Sequence, residues 1–263
     1  MNVKKYHLFL AALVYVAMTT LTACGGDDDD YSQTPQEEQS DNNDSFGVKA
    51  PNGVIAVDLG LPSGTKWANM NIGAEKSEDY GLFFAWGETV GYTSVGEGTP
   101  NSWGNYTMTD HCFDWAFYKW CSGSHNTLTK YCKNSSYGTV DNKTMLDIED
   151  DAAHVNWGGQ WMMPTYDEIC ELLANTINER ATVNGVYGSK LTSKKNSNSI
   201  FLPATGFRDG SSLCGQSIDI SYWSASVSQS DTNARNLFFD SGGAGSSNIL
   251  RRFGLPVRPV LRK

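Results

Sequence analysis

The sequence predicts an α+β fold in which two helices sit among short, mostly antiparallel strands. Three observations carry that prediction. Thr165-Tyr166-Asp167-Glu168 has the spacing of a capping box, in which a Thr side chain and a Glu side chain satisfy each other's free backbone N–H groups. Ile169, Leu172, Leu173 and Ile177 follow it on one helical stripe. On both sides of this helix, short apolar and aromatic runs are cut by Gly and Pro, the pattern of strands joined by turns.

Taken in order, Val54 to Leu59, Gly64 to Ile72 and Tyr80 to Trp86 read as strands, separated by Gly60-Leu61-Pro62-Ser63-Gly64 and by Gly73. Gly87 to Thr109 is glycine-rich and polar. It reads as a long ordered loop with Tyr92, Trp103 and Tyr106 expected inside. A short helix is expected from Thr144 to Val155, stopped by Gly158-Gly159. The capped helix follows, with Asp167, Glu168 and Glu171 at the positive end of its dipole and Arg180 at the negative end. Ser199 to Thr205, Ser221 to Ser226, Ala234 to Asp240 and Pro256 to Leu261 complete the strands. The length after Cys24 suits one domain with one core, plus a tether.

The N-terminus has a different texture. Lys4 and Lys5 precede an apolar run from Leu8 to Leu21, the parts of a secretory signal. That run is too short to cross a hydrocarbon core of ~30 Å, which takes about 20 helical residues. Leu21-Thr22-Ala23-Cys24 resembles the bacterial lipobox. The resemblance implies that residues 1–23 are a removed lipoprotein signal peptide and that Cys24 is the lipidation site, holding the chain to a membrane through an N-terminal acyl group such as palmitate. Residues 24–50 are rich in Asp, Gln, Asn, Ser and Glu, too polar to bury a core, and read as an acidic disordered tether. The run Asp27 to Asp30 resembles the surface-export signal of Bacteroidetes lipoproteins, which implies an outer-membrane, cell-surface location; a solubilising spacer facing the periplasm is the alternative.

Formal net charge is −9, and loss of Lys4 and Lys5 with the signal makes it −11. Most of the acidity lies in the tether. From Ala50 onward there is no basic run beyond Lys194-Lys195 and Arg251-Arg252, which argues against nucleic acid as a partner. With Cys24 acylated, Cys112, Cys121, Cys132, Cys170 and Cys214 remain, an odd number. One local bridge among the first three is possible in an oxidising compartment. Zinc is the other use of His111, Cys112, Cys121, His125 and Cys132, but no tight Cys-x-x-Cys or His-x3-His pair is present, so no metal is expected.

Val57-Asp58-Leu59-Gly60-Leu61-Pro62-Ser63-Gly64-Thr65-Lys66-Trp67-Ala68 and Tyr80-Gly81-Leu82-Phe83-Phe84-Ala85-Trp86-Gly87-Glu88 resemble the N-terminal signature of a lipoprotein family of gut Bacteroidetes that carries the Fibrobacter succinogenes major paralogous domain. Later blocks match as well: Asp150 to Gly159, Trp161-Met162-Met163-Pro164-Thr165, Phe201 to Arg208, Tyr222 to Ser226 and Pro256 to Val260. Met162 departs from the pattern, which usually has arginine there. The resemblance covers residues 51–263 and implies a C-type lectin-like domain, similar to formylglycine-generating enzymes and to the variable proteins of diversity-generating retroelements. Independently of it, Trp67, Trp86, Trp157, Trp161 and Trp223 read as an aromatic core that braces a loop-rich fold, Trp223 being the one also open to a binding role.

Catalysis is not expected, and neither is a cofactor. No cysteine follows Cys214, so the C-terminal redox pair of the formylglycine generators has no counterpart. Asp150, Asp151 and His154 read as helix-end caps rather than as an acid and base. Gly-x-Ser-x-Gly, His-Glu-x-x-His and phosphate-loop motifs are absent. Thr99-Pro100-Asn101 and Tyr222-Trp223-Ser224 lack the paired carboxylates of a calcium lectin. The polar segments Ser224 to Arg235 and Ser241 to Arg252 have a binding-surface composition, small polar residues with a few aromatic and arginine anchors. Trp223, Asn233, Arg235, Asn236, Asn248, Arg251 and Arg252 are the expected ligand face, for an extracellular protein or glycan. The alternatives are a fimbria-associated or structural assembly subunit and an enzyme related to the formylglycine generators. In similar proteins retroelements diversify this same segment, and diversification stays open here.

Overall fold

The computed structural model describes residues 50–96, 98–240 and 243–263; the expected signal peptide, Cys24 and the tether through residue 49 lie outside them. In chain order the elements are β1 (Ala56–Val57), β2 (Lys66–Ala68), β3 (Leu82–Phe83), β4 (Tyr92–Thr93), β5 (Tyr106–Thr107), a 3-10 turn (Ile148–Asp150), α1 (Ala152–Trp157), β6 (Trp161–Met162), α2 (Tyr166–Asn175), β7 (Thr176–Val183), β8 (Val186–Ser193), β9 (Ser199–Pro203), β10 (Phe207–Asp209), β11 (Ser212–Cys214), β12 (Ile220–Val227), β13 (Asn233–Asp240), β14 (Gly243–Leu250) and β15 (Val260–Leu261). Two α-helices thus sit among small antiparallel sheets, ordered β1-β2-β15-β6, β3-β4, β10-β11-β5, β7-β8-β9 and β12-β13-β14.

The capping box forms as its spacing predicts. Glu168 N–H donates to Thr165 Oγ1 at 3.1 Å, and Thr165 N–H donates to Glu168 Oε2 at 2.7 Å. Arg262 then donates through Nε and Nη2 to both Glu168 oxygens, at 2.8 and 2.9 Å. Burial alone would raise the Glu168 carboxyl, but the Arg262 guanidinium and the Thr165 N–H hold it below its ordinary range. α2 is shorter than expected. It ends at Asn175, and Ile177 and Arg180 lie on β7, with Ile177 exposed. Thr176 leaves the helix in extended conformation, and the eight residues from Thr176 to Val183 pair with β8 across a turn at Asn184 (φ 48°) and Gly185 (φ 85°), the left-handed pair that a tight hairpin turn needs.

The second helix also differs from expectation. Thr144 to Val155 does not run as one helix, because Asp151 interrupts it with extended backbone (φ −82°, ψ 111°) and caps a new start. The buried Asp151 carboxylate accepts from the N–H groups of Ala153 (2.9 Å), His154 (3.0 Å) and Met163 (2.9 Å), so it joins α1 to β6. Gly158, at φ 69°, stops the helix where the sequence indicates. Between residues 87 and 109, Tyr92 and Tyr106 are half-buried, but Trp103 is 85% exposed on a turn where Asn101 Oδ1 accepts from Trp103 N–H and Asn105 N–H. The segment from Ser241 to Arg252, expected as polar loop, is mostly strand β14.

The sheet β12-β13-β14 has both faces inside the molecule. Ile220, Tyr222, Leu237 and Phe239 pack with Ile169 and Leu172 of α2, and with Leu191, Ile200, Leu202, Trp67 and Val260. On the other face, Trp223, Ala225, Val227 and Ala234 join Trp86, Trp157, Met163, Leu255 and Val257. A third cluster, around Phe83, Phe113, Tyr118, Leu128 and Leu213, holds the long loops. Trp67, Trp86, Trp157 and Trp223 are buried; Trp161 is half-buried and meets Trp157 edge to face with ring centres 5.3 Å apart. Cys112, Cys121, Cys132, Cys170 and Cys214 are all free thiols, so no local bridge forms among the first three.

Thr165→Ala removes one half of the capping box. It is expected to cost about 1 kcal/mol of unfolding free energy, read from urea denaturation, while Thr165→Ser stays close to the parent.

Candidate binding pocket

Strand register decides which C-terminal residues meet. Ser221 lies opposite Phe238, Trp223 opposite Asn236, Asn236 opposite Ser247 and Ala234 opposite Ile249, so these residues share one face of the sheet. Over Trp223 and Ala234 that face is filled by the core. Beyond them the core stops, and Phe207, Asp219, Ser221, Asn236, Phe238, Ser247, Asn248 and Ile249 enclose a pocket of about 260 Å³.

Two acceptors in this pocket have no donor among the described residues. Asn236 is 2% exposed, yet its Oδ1 has no hydrogen-bond partner, and its Nδ2 makes only long contacts of 3.5 Å, to Ser221 Oγ and to Leu237 O. Buried amide oxygens are ordinarily paired, and leaving one unpaired costs about 1–3 kcal/mol. The half-buried Asp219 side chain accepts no hydrogen bond among the described residues, and burial pushes its carboxyl above the ordinary range. Phe207 supplies an apolar wall and stacks on Phe253 with ring centres 5.6 Å apart.

The seven residues expected to form a ligand face do not form one. Trp223 and Arg251 are fully buried, which corrects their assignment to an exposed surface. Trp223 Nε1 donates to Phe84 O at 2.7 Å, so the large ring is core. Arg251 lies beside the Trp86 and Tyr118 rings and points Nη1 at Lys130 O and Tyr131 O. Asn233 and Arg235 are half-buried and face away from the pocket; the Arg235 guanidinium sits 4.6 Å from the Tyr166 ring centre. Arg252 is also half-buried and donates to Phe113 O (2.9 Å) and Asp209 Oδ1 (2.5 Å). Asn236 and the exposed Asn248 do line the pocket. Phe207, Asp219, Ser221, Phe238, Ser247 and Ile249 complete it, and the alternation of Ser221 and Trp223 on a strand was the available sign that they share a face.

Other candidate chemistry is tied up internally. A larger hollow of about 370 Å³ lies at Lys133, Asn134, Tyr137, Gln229, Ser230 and Asp231. There Asp231 Oδ2 accepts from Lys133 N–H (2.9 Å) and Asn134 N–H (2.7 Å), and the Lys133 ammonium donates to Ser228 O at 2.7 Å; Asp231 Oδ1 has no hydrogen bond among the described residues and is offset by the Lys133 ammonium at 3.6 Å. The zinc-type residues are used in packing: His111 stacks on Tyr92 at 3.9 Å, His125 lies near Trp115, Cys121 Sγ donates to Trp115 O, and Cys132 Sγ donates to Asn134 O. Asp147, Glu149 and Asp150 do converge within 4.8 Å. The Lys130 ammonium occupies the point between them, at 2.7, 3.5 and 2.5 Å. Asp150 also accepts from Tyr131 OH at 2.6 Å, and Asp151 is a helix cap, so both acids have structural partners.

Because Trp223 and Arg251 are interior, their alanine variants are expected to destabilise the whole domain. Trp223→Ala should cost about 3–5 kcal/mol by denaturant unfolding, in the range for large-to-small core changes, with near-ultraviolet circular dichroism lost in the same transition.

Compared with known proteins, the chain matches no family model, no curated protein and no solved structure.

Proposed function

We propose that the chain is a non-catalytic lipoprotein of the outer membrane, anchored through Cys24 and facing the cell exterior, whose C-type lectin-like domain binds a protein or glycan ligand in the pocket over β12, β13 and β14. The observation that carries the binding reading is that one aromatic-walled hollow is lined both by a buried Asn236 oxygen and by an Asp219 carboxylate that have no hydrogen-bond partner among the described residues. Polar groups left unsatisfied at a pocket wall are groups that a ligand can satisfy. The C-type lectin-like reading is supported by the matching sequence blocks together with a fold of two helices and many short strands. The anchoring is supported by the Lys4 to Cys24 pattern.

A second reading, a subunit of a fimbria-like assembly, is favoured by one feature. β14 pairs with β13 on one side and, among the described residues, with no strand on the other, so a run of backbone donors and acceptors is available to an added strand.

Protease shaving of intact cells, followed by glycan-array and pull-down binding of the released domain, tests the proposal. Shaving is expected to release the domain from the parent, and Cys24→Ser is expected to abolish palmitate labelling. Ser247→Trp, which fills the pocket mouth from an exposed position, is expected to remove ligand binding without shifting the unfolding midpoint by more than about 0.5 kcal/mol. Retained binding in Ser247→Trp contradicts the pocket reading.

A further inference from the structure

The pocket over the C-terminal sheet has a chemical bias that narrows its occupant. Asp219 is the one charged side chain among its eight lining residues. Burial is the cause of its raised carboxyl, with neither a cation nor a hydrogen-bond donor offsetting it. The nearby arginines are engaged elsewhere: Arg208 pairs with Asp110 at 2.7 Å, and Arg252 pairs with Asp209 at 2.5 Å. The Asp219 carboxylate fills the space over Gly215, where a Cβ would overlap it. Asn236 Oδ1 is a second acceptor without a donor, and it is nine-tenths buried. Phe207 and Phe238 add two aromatic rings, whose faces attract positive charge.

Two acceptors, one of them anionic, with aromatic walls and no cation of its own, describe a hollow that asks for a positively charged donor. We propose that the pocket holds a compact organic cation, an ammonium or guanidinium group on an alkyl stem, whose N–H groups donate to Asp219 while Phe207 and Phe238 flank its charge and stem; Asn236 Oδ1, level with Trp223 and so four residues farther along the strands, is left for a separate donor on a longer ligand. The inference rests on the reading of this pocket as the ligand site. A charge-assisted N–H to carboxylate bond is about twice as strong as a neutral one, so Asp219 supplies more of the affinity than the amide does. A neutral sugar hydroxyl would satisfy the acceptors without offsetting the buried charge. The same group can come from a free alkylamine or from a Lys or Arg side chain of a partner protein.

The test is an amide NMR titration of the purified full chain in detergent. The probes are n-butylammonium chloride, n-butylguanidinium chloride, methyl α-glucopyranoside, and a neutral pentapeptide with one central Lys beside its acetyl-Lys form. Saturable shifts at Asp219, Ser221, Asn236 and Ser247 are expected with both cations and with the Lys peptide, and not with the glucoside or the acetyl-Lys peptide. Asp219→Asn is expected to weaken cation binding at least tenfold at an unchanged unfolding midpoint. In the unmodified chain, raising NaCl from about 0.05 to about 0.5 M is expected to weaken it several-fold through charge screening. A Lys peptide that binds at least tenfold more tightly than n-butylammonium assigns the cation to a protein partner, and equal or weaker binding assigns it to a free amine. Shifts with the glucoside alone overturn the cation and leave the pocket standing as a ligand site. No shift with any probe overturns both, and cation binding that is indifferent to Asp219→Asn and to salt overturns the pairing of the cation with Asp219 on which the proposal stands.

Discussion

Two indole N–H groups cross-brace the domain, and the rest of the structure depends on them. Trp86 Nε1 donates to Ser224 O at 2.8 Å, and Trp223 Nε1 donates to Phe84 O at 2.7 Å. Each ring therefore hydrogen-bonds the backbone beside the other, and both are fully buried. The segment Phe84 to Trp86 is thereby fixed to β12. Backbone bonds from Phe84 to Leu255, from Trp86 to Arg251 and from Trp223 to Pro256 bring in the chain that leads to β15. In an interior with few long helices, such side-chain-to-backbone bonds add to what the strand ladders do; without the Trp223 indole, Phe84 O would keep only the Leu255 N–H as donor, at 3.0 Å. The brace also sets the pocket wall, since Trp223 lies opposite Asn236 and two residues from Ser221.

Buried cations extend the same principle to the loops. Arg258 is fully buried with no acid beside it among the described residues, and burial lowers its pKa to about 10; it donates to Asn71 Oδ1 at 2.8 Å and Ala68 O at 3.2 Å. Lys130 stays charged because, although burial opposes it, Asp147 and Asp150 surround its ammonium and hold its pKa well above the usual lysine range. Such groups collect carbonyls and carboxylates from distant stretches of chain, and removing one partner strands the other in a low dielectric. The pocket over β12 to β14 has the opposite character, with an acid and an amide oxygen lacking the partners that the loops possess.

Much of the fold was legible where local chemistry decides it. The capping box at Thr165, the stop at Gly158 and strands β9, β12 and β13 follow from side chains that act on their own neighbours. The Asn184-Gly185 turn was an equally local sign, but the helical stripe through Ile177 hid it, and pairing with β8 settled the competition. β14 was not legible, because Gly, Ser and Asn have low strand propensity and only β13 makes that segment a strand. The pocket lies in the segment expected to bind, and two of the seven expected residues line it. Asn236 and Asn248 are in the pocket, whereas Trp223 and Arg251 carry the polar atoms of a binding residue but spend them on the backbone of the core. One sequence does not distinguish a tryptophan that braces from one that binds, since both need a large ring with a donor.

The brace is tested most directly by a double-mutant cycle on Trp86→Phe and Trp223→Phe, with unfolding free energies measured in urea. If each indole holds the strand that carries the other, the two losses are not independent, and a coupling of about 1 kcal/mol or more is the predicted result. Losses that add to within about 0.3–0.5 kcal/mol would contradict the account, because the two rings would then be separate pieces of core.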